Sequence, residues 1–228
     1  REEGGPAPLK ENLGAAILLR AGWPVTWSEG GGLMDPMTGS GTLPIEAAWM
    51  AGDVAPGLLR DYFGFLSWKG HRPEVWEGLL KEARERRAAG LGRLPPIVGY
   101  DADARAVRSA TAHVERAGLR GAVHVERREL AAWVPHPAMT GPPGLAVINP
   151  PYGRRLGEIR ELAPLYAAIG SRLKAHFRGW RVGLFTGNAE LGKGMGLRAE
   201  RRYSLYNGPI ECKLLNFRVS TEWFVETQ

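Results

Sequence analysis

The chain has 228 residues, enough to bury a sizeable core, and its 44% apolar and 24% charged residues are the balance of a globular protein. A formal charge of +6 with a pI near 9.7 points to an acidic partner, most often a phosphate backbone, against the plainer alternative of a basic surface. Cys212 is the only cysteine, which excludes an internal disulfide and a multi-cysteine zinc site, and the five scattered histidines show no metal-ligand spacing.

No metal is therefore expected. No run approaches the roughly 18 apolar residues of a membrane span, and no signal-peptide pattern is present, so the expectation is a cytoplasmic protein without a membrane partner. The chain opens on "REEGGPAPLKENL" with no initiator Met, which reads as a fragment or a processed form.

In chain order, "PLKENLGAAILLRAGW" (8–23) repeats apolar residues at helical spacing and ends at Gly22 and Pro24, predicting an N-terminal helix within 1–24 followed by a break. "GGLMD" (31–35) is a short apolar run stopped by an acid. "TLPIEAAWMAG" (42–52) predicts a helix from Thr42 that tolerates Pro44 in its first turn. Residues 53–75 are irregular and aromatic-rich, and 74–90 reads as an amphipathic helix ended by glycine. Apolar runs at 96–101, 122–126, 144–149 and 181–187 predict strands, with helices at 103–117 and 161–177 between them. Strand and helix alternate, so the expected fold is α/β, a parallel sheet with helices on both faces. Residues 197–219 place two strand-like runs around "NGP", an antiparallel hairpin that completes a seven-stranded sheet. One domain over 1–228 is the expected count, with 53–95 as an insertion serving as a lid or a substrate-side element.

Ligands of open α/β sheets bind beyond the C-terminal strand ends. Those ends supply "DPMTGSGT" (35–42), "YDAD" (100–103), "ERREL" (126–130), "NPPYG" (149–153) and "FTGN" (185–188). Gly39 and Gly41 suit a turn that lets a ligand press on backbone N–H groups, or simply a strand-to-helix turn. No lysine follows them as in a phosphate-binding loop, and no third glycine completes a dinucleotide fingerprint. Asp35 repels phosphate and attracts an ammonium group. Asp101 either accepts the two hydroxyls of a vicinal diol or caps the next helix, for which Asp103 is the better placed. Glu129 either accepts from the exocyclic amine of a purine or is a solvated loop acid. A ligand with an amino-acid end, a ribose and a purine fits this row, and S-adenosylmethionine is such a ligand.

"NPPY" has its own chemistry. An amine conjugated to a ring becomes nucleophilic when its nitrogen turns partly tetrahedral, which two hydrogen-bond acceptors favour. The Asn149 side-chain oxygen and the Pro150 carbonyl are such acceptors, held by two prolines of fixed φ. Tyr152 offers a flat face on which the target group can stack. Arg154 and Arg155 follow directly and can meet phosphates, as can Lys193, Arg198, Arg201 and Arg202, against the alternative of a solvated charged face. Trp68 and Trp76 read as core of the insertion rather than as stacking platforms.

"DPMTGSGT" and "NPPYG", in that order, resemble class I methyltransferases of planar amino groups. With "APLKENLGAAILLRAGW", "IEAAWMAGDVAPGL", "FGFLSW", "LFTGN" and "YNGPIECKLL", almost the whole chain resembles the THUMP-linked bacterial 23S rRNA guanine-N2 methyltransferase family. The resemblance implies a Rossmann-like class I methyltransferase fold and an S-adenosylmethionine site at Pro8, Leu9, Asp35, Gly39, Gly41, Thr42, Asp101, Ala102, Glu129 and Asn149. It implies target-amine contacts at Asn149, Pro150 and Tyr152 and an RNA partner, ribosomal RNA first. It also implies a THUMP domain in the full-length protein, preceding this part. Glu129 stands where the family more often has Asp, and Thr38 where many members have Cys. The expected activity is methylation of guanine N2 in 23S rRNA. The alternatives are methylation of adenine N6 in DNA or RNA, a non-catalytic RNA-binding module, and a nicotinamide dehydrogenase, which the missing third glycine disfavours.

Overall fold

The computed structural model describes residues 9–152 and 156–220. Seven strands form one sheet in the order β3-β2-β1-β4-β5-β7-β6. They are β1 (Leu33–Asp35), β2 (Ile97–Asp101), β3 (His124–Arg127), β4 (Leu145–Ile148), β5 (Arg181–Thr186), β6 (Arg201–Asn207) and β7 (Ile210–Arg218). The first five run parallel, and β7 pairs antiparallel with both β5 and β6. All the expected strands are present, and the "NGP" stretch makes the hairpin turn between β6 and β7.

The helices are α1 (Glu11–Ala21), α2 (Trp23–Ser28), α3 (Thr42–Ala51), α4 (Pro73–Leu91), α5 (Ala104–Arg116), α6 (Leu156–His176) and α7 (Ala189–Lys193). Alternate residues of the central strands feed two cores. Leu33, Leu145 and Val147 pack with Ile17, Leu18, Leu43 and Val114 of α1, α3 and α5. Met34, Ala146 and Ile148 pack with Tyr166, Ile169 and Leu173 of α6 on the other face. Every residue of β1 and β4 is buried, as a parallel sheet covered on both sides requires.

Three expectations are corrected. The chain does not simply break at Pro24. Gly22, at φ 89°, closes α1, and α2 starts at once with Pro24 in its first turn, where the missing N–H leaves no helical bond unmade. Helix α6 begins at Leu156, not near 161, and carries Pro164 inside it. Pro164 is exposed, so the carbonyl it leaves unbonded one turn earlier can turn to solvent.

The third correction concerns 53–95. Helix α3 leaves the C-terminal end of β1 and runs back, so the segment after it starts at the opposite edge of the sheet. Gly52 packs against Gly90 there, the Trp49 indole donates to the Ala117 carbonyl at 3.3 Å, and Arg87 donates to the Gly118 carbonyl at 3.2 Å. The segment is therefore an arm at the strand-start edge and not a lid over the strand ends. Within it Phe63, Phe65 and Trp76 form edge-on ring pairs, whereas Trp68 is 69% exposed and is not core.

One close approach sets how α6 meets the segment after α7. Gly170 is buried in α6, and a methyl group there would overlap the Met195 backbone carbonyl. Alanine normally gains about 1 kcal/mol over glycine inside a helix, but a clash with backbone cannot be relieved by a side-chain rotation. Gly170→Ala is expected to destabilise the chain by about 2 kcal/mol and to lower Tm by roughly 4–8 °C. A thermal melt at or above the wild-type Tm would mean that helix propensity outweighs the clash.

Candidate functional site

Strand order reverses between β1 and β4, which lie side by side while their following helices cover opposite faces of the sheet. A crevice beyond their C-terminal ends is the general ligand site of such sheets. Asp35 ends β1 and Asn149 follows β4, so both stand at this crevice.

Asp35 is only 1% exposed, and its carboxylate accepts the Met37 N–H at 3.0 Å. Burial pushes its pKa up to about 7; the Met37 N–H pulls the other way and the nearby Asp101 charge adds to the rise. The turn after β1 bends through Gly39 at φ 54° and Gly41 at φ 86°, left-handed positions that glycine adopts without strain. A side chain at Gly39 would meet nothing within 4 Å, so the surface in front of this turn is open. At Gly41 a Cβ would come within 3.2 Å of Ala110, and the turn is thus held against α5. Thr42 is the first residue of α3, its hydroxyl 3.4 Å from that of Ser40.

Asp101 does not cap the helix after it. Its carboxylate accepts the Gly39 N–H at 2.9 Å and the Asp103 N–H at 3.0 Å, so it pins the glycine turn to the end of β2. Asp103 is the cap, accepting the Arg105 N–H at 2.8 Å. Ala102 is exposed beside it, and its carbonyl accepts from Arg127 Nε at 2.9 Å. Arg127 also lies 3.8 Å from Glu129, whose side chain is exposed at the end of β3. One arginine thus gathers Ala102 and Glu129 on the same rim as Asp101. Leu9 is half-buried against the core on the α1 side. Pro8, Arg154 and Arg155 lie outside the described residues.

Beyond β4, the Asn149 side-chain oxygen is buried and has no hydrogen-bond partner among the described residues. Such an atom costs about 1–3 kcal/mol unless something satisfies it. Pro150 is buried and Pro151 exposed. The Tyr152 ring lies against Gly187, where any side chain would collide with it. Its hydroxyl accepts from the Asn207 amide at 3.2 Å, with Cys212 Sγ at 3.8 Å. Asn149, Pro150 and Tyr152 thus follow directly on β4, at the same C-terminal end of the parallel strands as Asp35, Gly39, Asp101 and Glu129.

Sequence reading missed the residues behind this group. Asn207 was read only as a hairpin turn residue, and Gly187 only as the end of a strand. Tyr166 went unnoticed, although its hydroxyl donates to the Pro151 carbonyl at 3.2 Å. A tyrosine among the apolar residues of a core-facing helix was the one available signal. Among the described residues no group of three or more His, Cys, Asp or Glu could hold a metal ion, and no helix is long and apolar enough to cross a membrane.

The chain is 56% identical over 224 residues to the ribosomal RNA large subunit methyltransferase K/L of Methylococcus capsulatus, covering 98% of this chain. It is likewise 56% identical over 225 residues to the protein of that name from Allochromatium vinosum, covering 99% of this chain. It spans about 30% of the length of these relatives. Among solved structures, the methyltransferase SMU.472, complexed with SAH, matches with a TM-score of 0.82 at 28% identity over 98% of this chain and 55% of that one. A Listeria monocytogenes protein described as a predicted N6-adenine-specific DNA methylase matches at 0.79 and 29% identity, over 95% and 53%. The family model for the RMKL-like methyltransferase domain (UPF0020) matches residues 1–216, and the chain belongs to that family.

Proposed function

We propose that this chain is the S-adenosylmethionine-dependent methyltransferase unit that modifies the exocyclic N2 amine of a guanine in large-subunit ribosomal RNA. The observation that carries the proposal is the buried Asn149 side-chain oxygen, which has no hydrogen-bond partner among the described residues and opens the segment that carries Pro150 and Tyr152. The relatives' printed name supports RNA of the large ribosomal subunit as the substrate class, and the SAH held by SMU.472 supports the cofactor.

The residues fit such a cofactor. Open space in front of Gly39 admits it against the backbone, Asp101 retains lone pairs for ribose hydroxyls, and Asp35 favours an ammonium over a phosphate. Ala102 and Glu129 stand on the rim assigned to the purine; Thr42, Leu9 and Pro8 are assigned to the methionine end. When bound, S-adenosylmethionine supplies an electrophilic methyl group on sulfur. Asn149 Oδ1 and the Pro150 carbonyl each accept one hydrogen of the target amine, localising the nitrogen lone pair for attack. Tyr152 stacks the base once it leaves its helix. The nitrogen becomes acidic only after the bond forms, so no strong base is needed beforehand. Arg154 and Arg155 are assigned to RNA phosphates. A THUMP module elsewhere in the full-length protein and a cytoplasmic location, where ribosomal RNA is made in bacteria, complete the reading. The name of the Listeria monocytogenes neighbour favours adenine N6 as the second reading.

The deciding experiment is transfer of a labelled methyl group to unmodified bacterial ribosomal RNA, followed by digestion to nucleosides. N2-methylguanosine is expected, and N6-methyladenosine would hand the acceptor to the second reading. Asn149→Ala is expected to lower kcat by about 100-fold or more while leaving cofactor affinity within about twofold. Asp101→Ala should instead weaken cofactor binding by roughly 10- to 100-fold, since it removes a charged acceptor and frees the glycine turn. Isothermal calorimetry on both variants separates these effects.

The pH dependence follows from Asp35. Its pKa in the folded chain, about 7, lies above the ordinary value of 3.8. Between those values the folded state holds a proton that the unfolded state has lost, so its contribution to stability falls as pH rises from about 4 to 7. A cationic ligand prefers the ionised form, so cofactor affinity is expected to rise with pH up to about 7 and then level off. Calorimetry below pH 7 in two buffers of different ionisation enthalpy should detect release of up to one proton, and Asp35→Asn should abolish that release.

A further inference from the structure

We infer that Tyr166 is a positioning residue for methyl transfer, acting through the Pro151 carbonyl and Thr186 to hold the 149–152 loop in its reactive shape. The inference rests on the reading of Asn149, Pro150 and Tyr152 given above.

A loop of two prolines has no N–H of its own at either position, so it can be fixed only through its carbonyls and its neighbours. The Pro150 carbonyl is assigned to the target amine. The Pro151 carbonyl is taken by Tyr166, which reaches across from α6 and donates to it at 3.2 Å. The same hydroxyl lies 2.8 Å from Thr186 Oγ1 at the end of β5. Thr186 accepts the Asn188 N–H at 3.1 Å. One consistent set of protons runs from Asn188 N–H to Thr186, from the Thr186 hydroxyl to Tyr166, and from the Tyr166 hydroxyl to Pro151. The Asn188 carbonyl, 3.2 Å from Thr186 Oγ1, competes for the threonine proton, but the contact to Tyr166 is the shorter.

This chain joins two segments that flank the site. One is the loop bearing Asn149 and Tyr152. The other is the 186–188 turn, whose Gly187 supports the Tyr152 ring. Tyr166 and Thr186 are both fully buried, and Tyr166 sits among Ile169, Leu173, Phe177 and Leu184, where phenylalanine would fill the same space. A buried hydroxyl in such surroundings is costly unless it is satisfied, and the bonds it makes here all run to this loop and this turn. Burial holds the Tyr166 pKa at about 12, so it remains a proton donor throughout the working range.

The test compares Tyr166→Phe, Thr186→Val, Thr186→Ser and the Tyr166→Phe/Thr186→Val double variant in methyl transfer to ribosomal RNA. Tyr166→Phe is expected to lower kcat by about 10- to 100-fold. Its RNA KM and cofactor affinity should stay within about twofold. Thr186→Ser should keep wild-type kcat, and the double variant should be no worse than the worse single one, because both cut the same chain of bonds. Amide hydrogen exchange supplies a readout without turnover: Tyr166→Phe should speed exchange at Asn188 and Tyr152. Wild-type kcat in Tyr166→Phe, losses that simply add in the double variant, or unchanged exchange at both amides would each overturn the inference. A product other than N2-methylguanosine would overturn the acceptor reading alone, because the kcat comparison holds for whichever amine is methylated. A wild-type chain that transfers no methyl leaves the decision to the exchange data.

Discussion

Strands β1 and β4 are buried on both faces, and that constraint decides where chemistry can occur. A polar side chain inside either strand would lie in one core or the other without water. The charged and amide groups of these strands are therefore driven to the ends, where the covering helices part. Because β1 and β4 are neighbours whose helices lie on opposite faces, their ends open onto a single crevice. Asp35 and Asn149 occupy those ends, and the rest of the site is arranged around them.

Two acids close together on this rim are handled in different ways. Asp101 has both oxygens engaged by backbone N–H groups, from Gly39 and Asp103. Asp35 has one such bond and is almost wholly buried, so its proton is held to about pH 7. The proton held on Asp35 relieves the repulsion between the two neighbouring carboxylates. A phosphate would face both acids with no lysine to offset them, whereas a ligand carrying a cation and hydroxyls satisfies each.

Much of this was legible in the sequence because its signals are local. An acid or amide at the end of an apolar run, glycines before a helix and an Asp immediately before an arginine-rich helix each act within a few residues, and Asp35, Gly39, Gly41, Asp103 and Asn149 stand where those signals put them. The misses share the opposite property. Tyr166 lies 15 residues from Pro151 and 20 from Thr186, and its bonds depend on how α6 crosses the sheet. The start of α6 was placed near 161, five residues late, because the sequence does not reveal that the Pro164 side of the helix faces water. Residues 53–95 read as a lid or a substrate-side element because aromatic richness says nothing about direction; the reversal of the chain through α3 puts them at the other edge. Trp68 was read as core from its size, and only the packed arm leaves it outside.

The antiparallel hairpin has its place in the same logic. A parallel β7 would begin at the strand-start edge, away from the crevice. Running antiparallel to β5, it begins at the C-terminal edge, and Thr186 pairs with Lys213, so Cys212, Ile210 and the partner residue Asn207 lie beyond the end of β5. That is the height at which Tyr152 projects. Asn207 can then bind the phenol oxygen at 3.2 Å while Gly187 supports the ring. The loop after β4 is thus held by β5, by the hairpin and by α6, from three sides. An aromatic ring at the end of a proline-rich loop would otherwise be free to move, and the stacking role proposed for Tyr152 requires a face that stays in place when a base arrives. The reversal of the last strands supplies that rigidity without adding any bulk to the crevice itself.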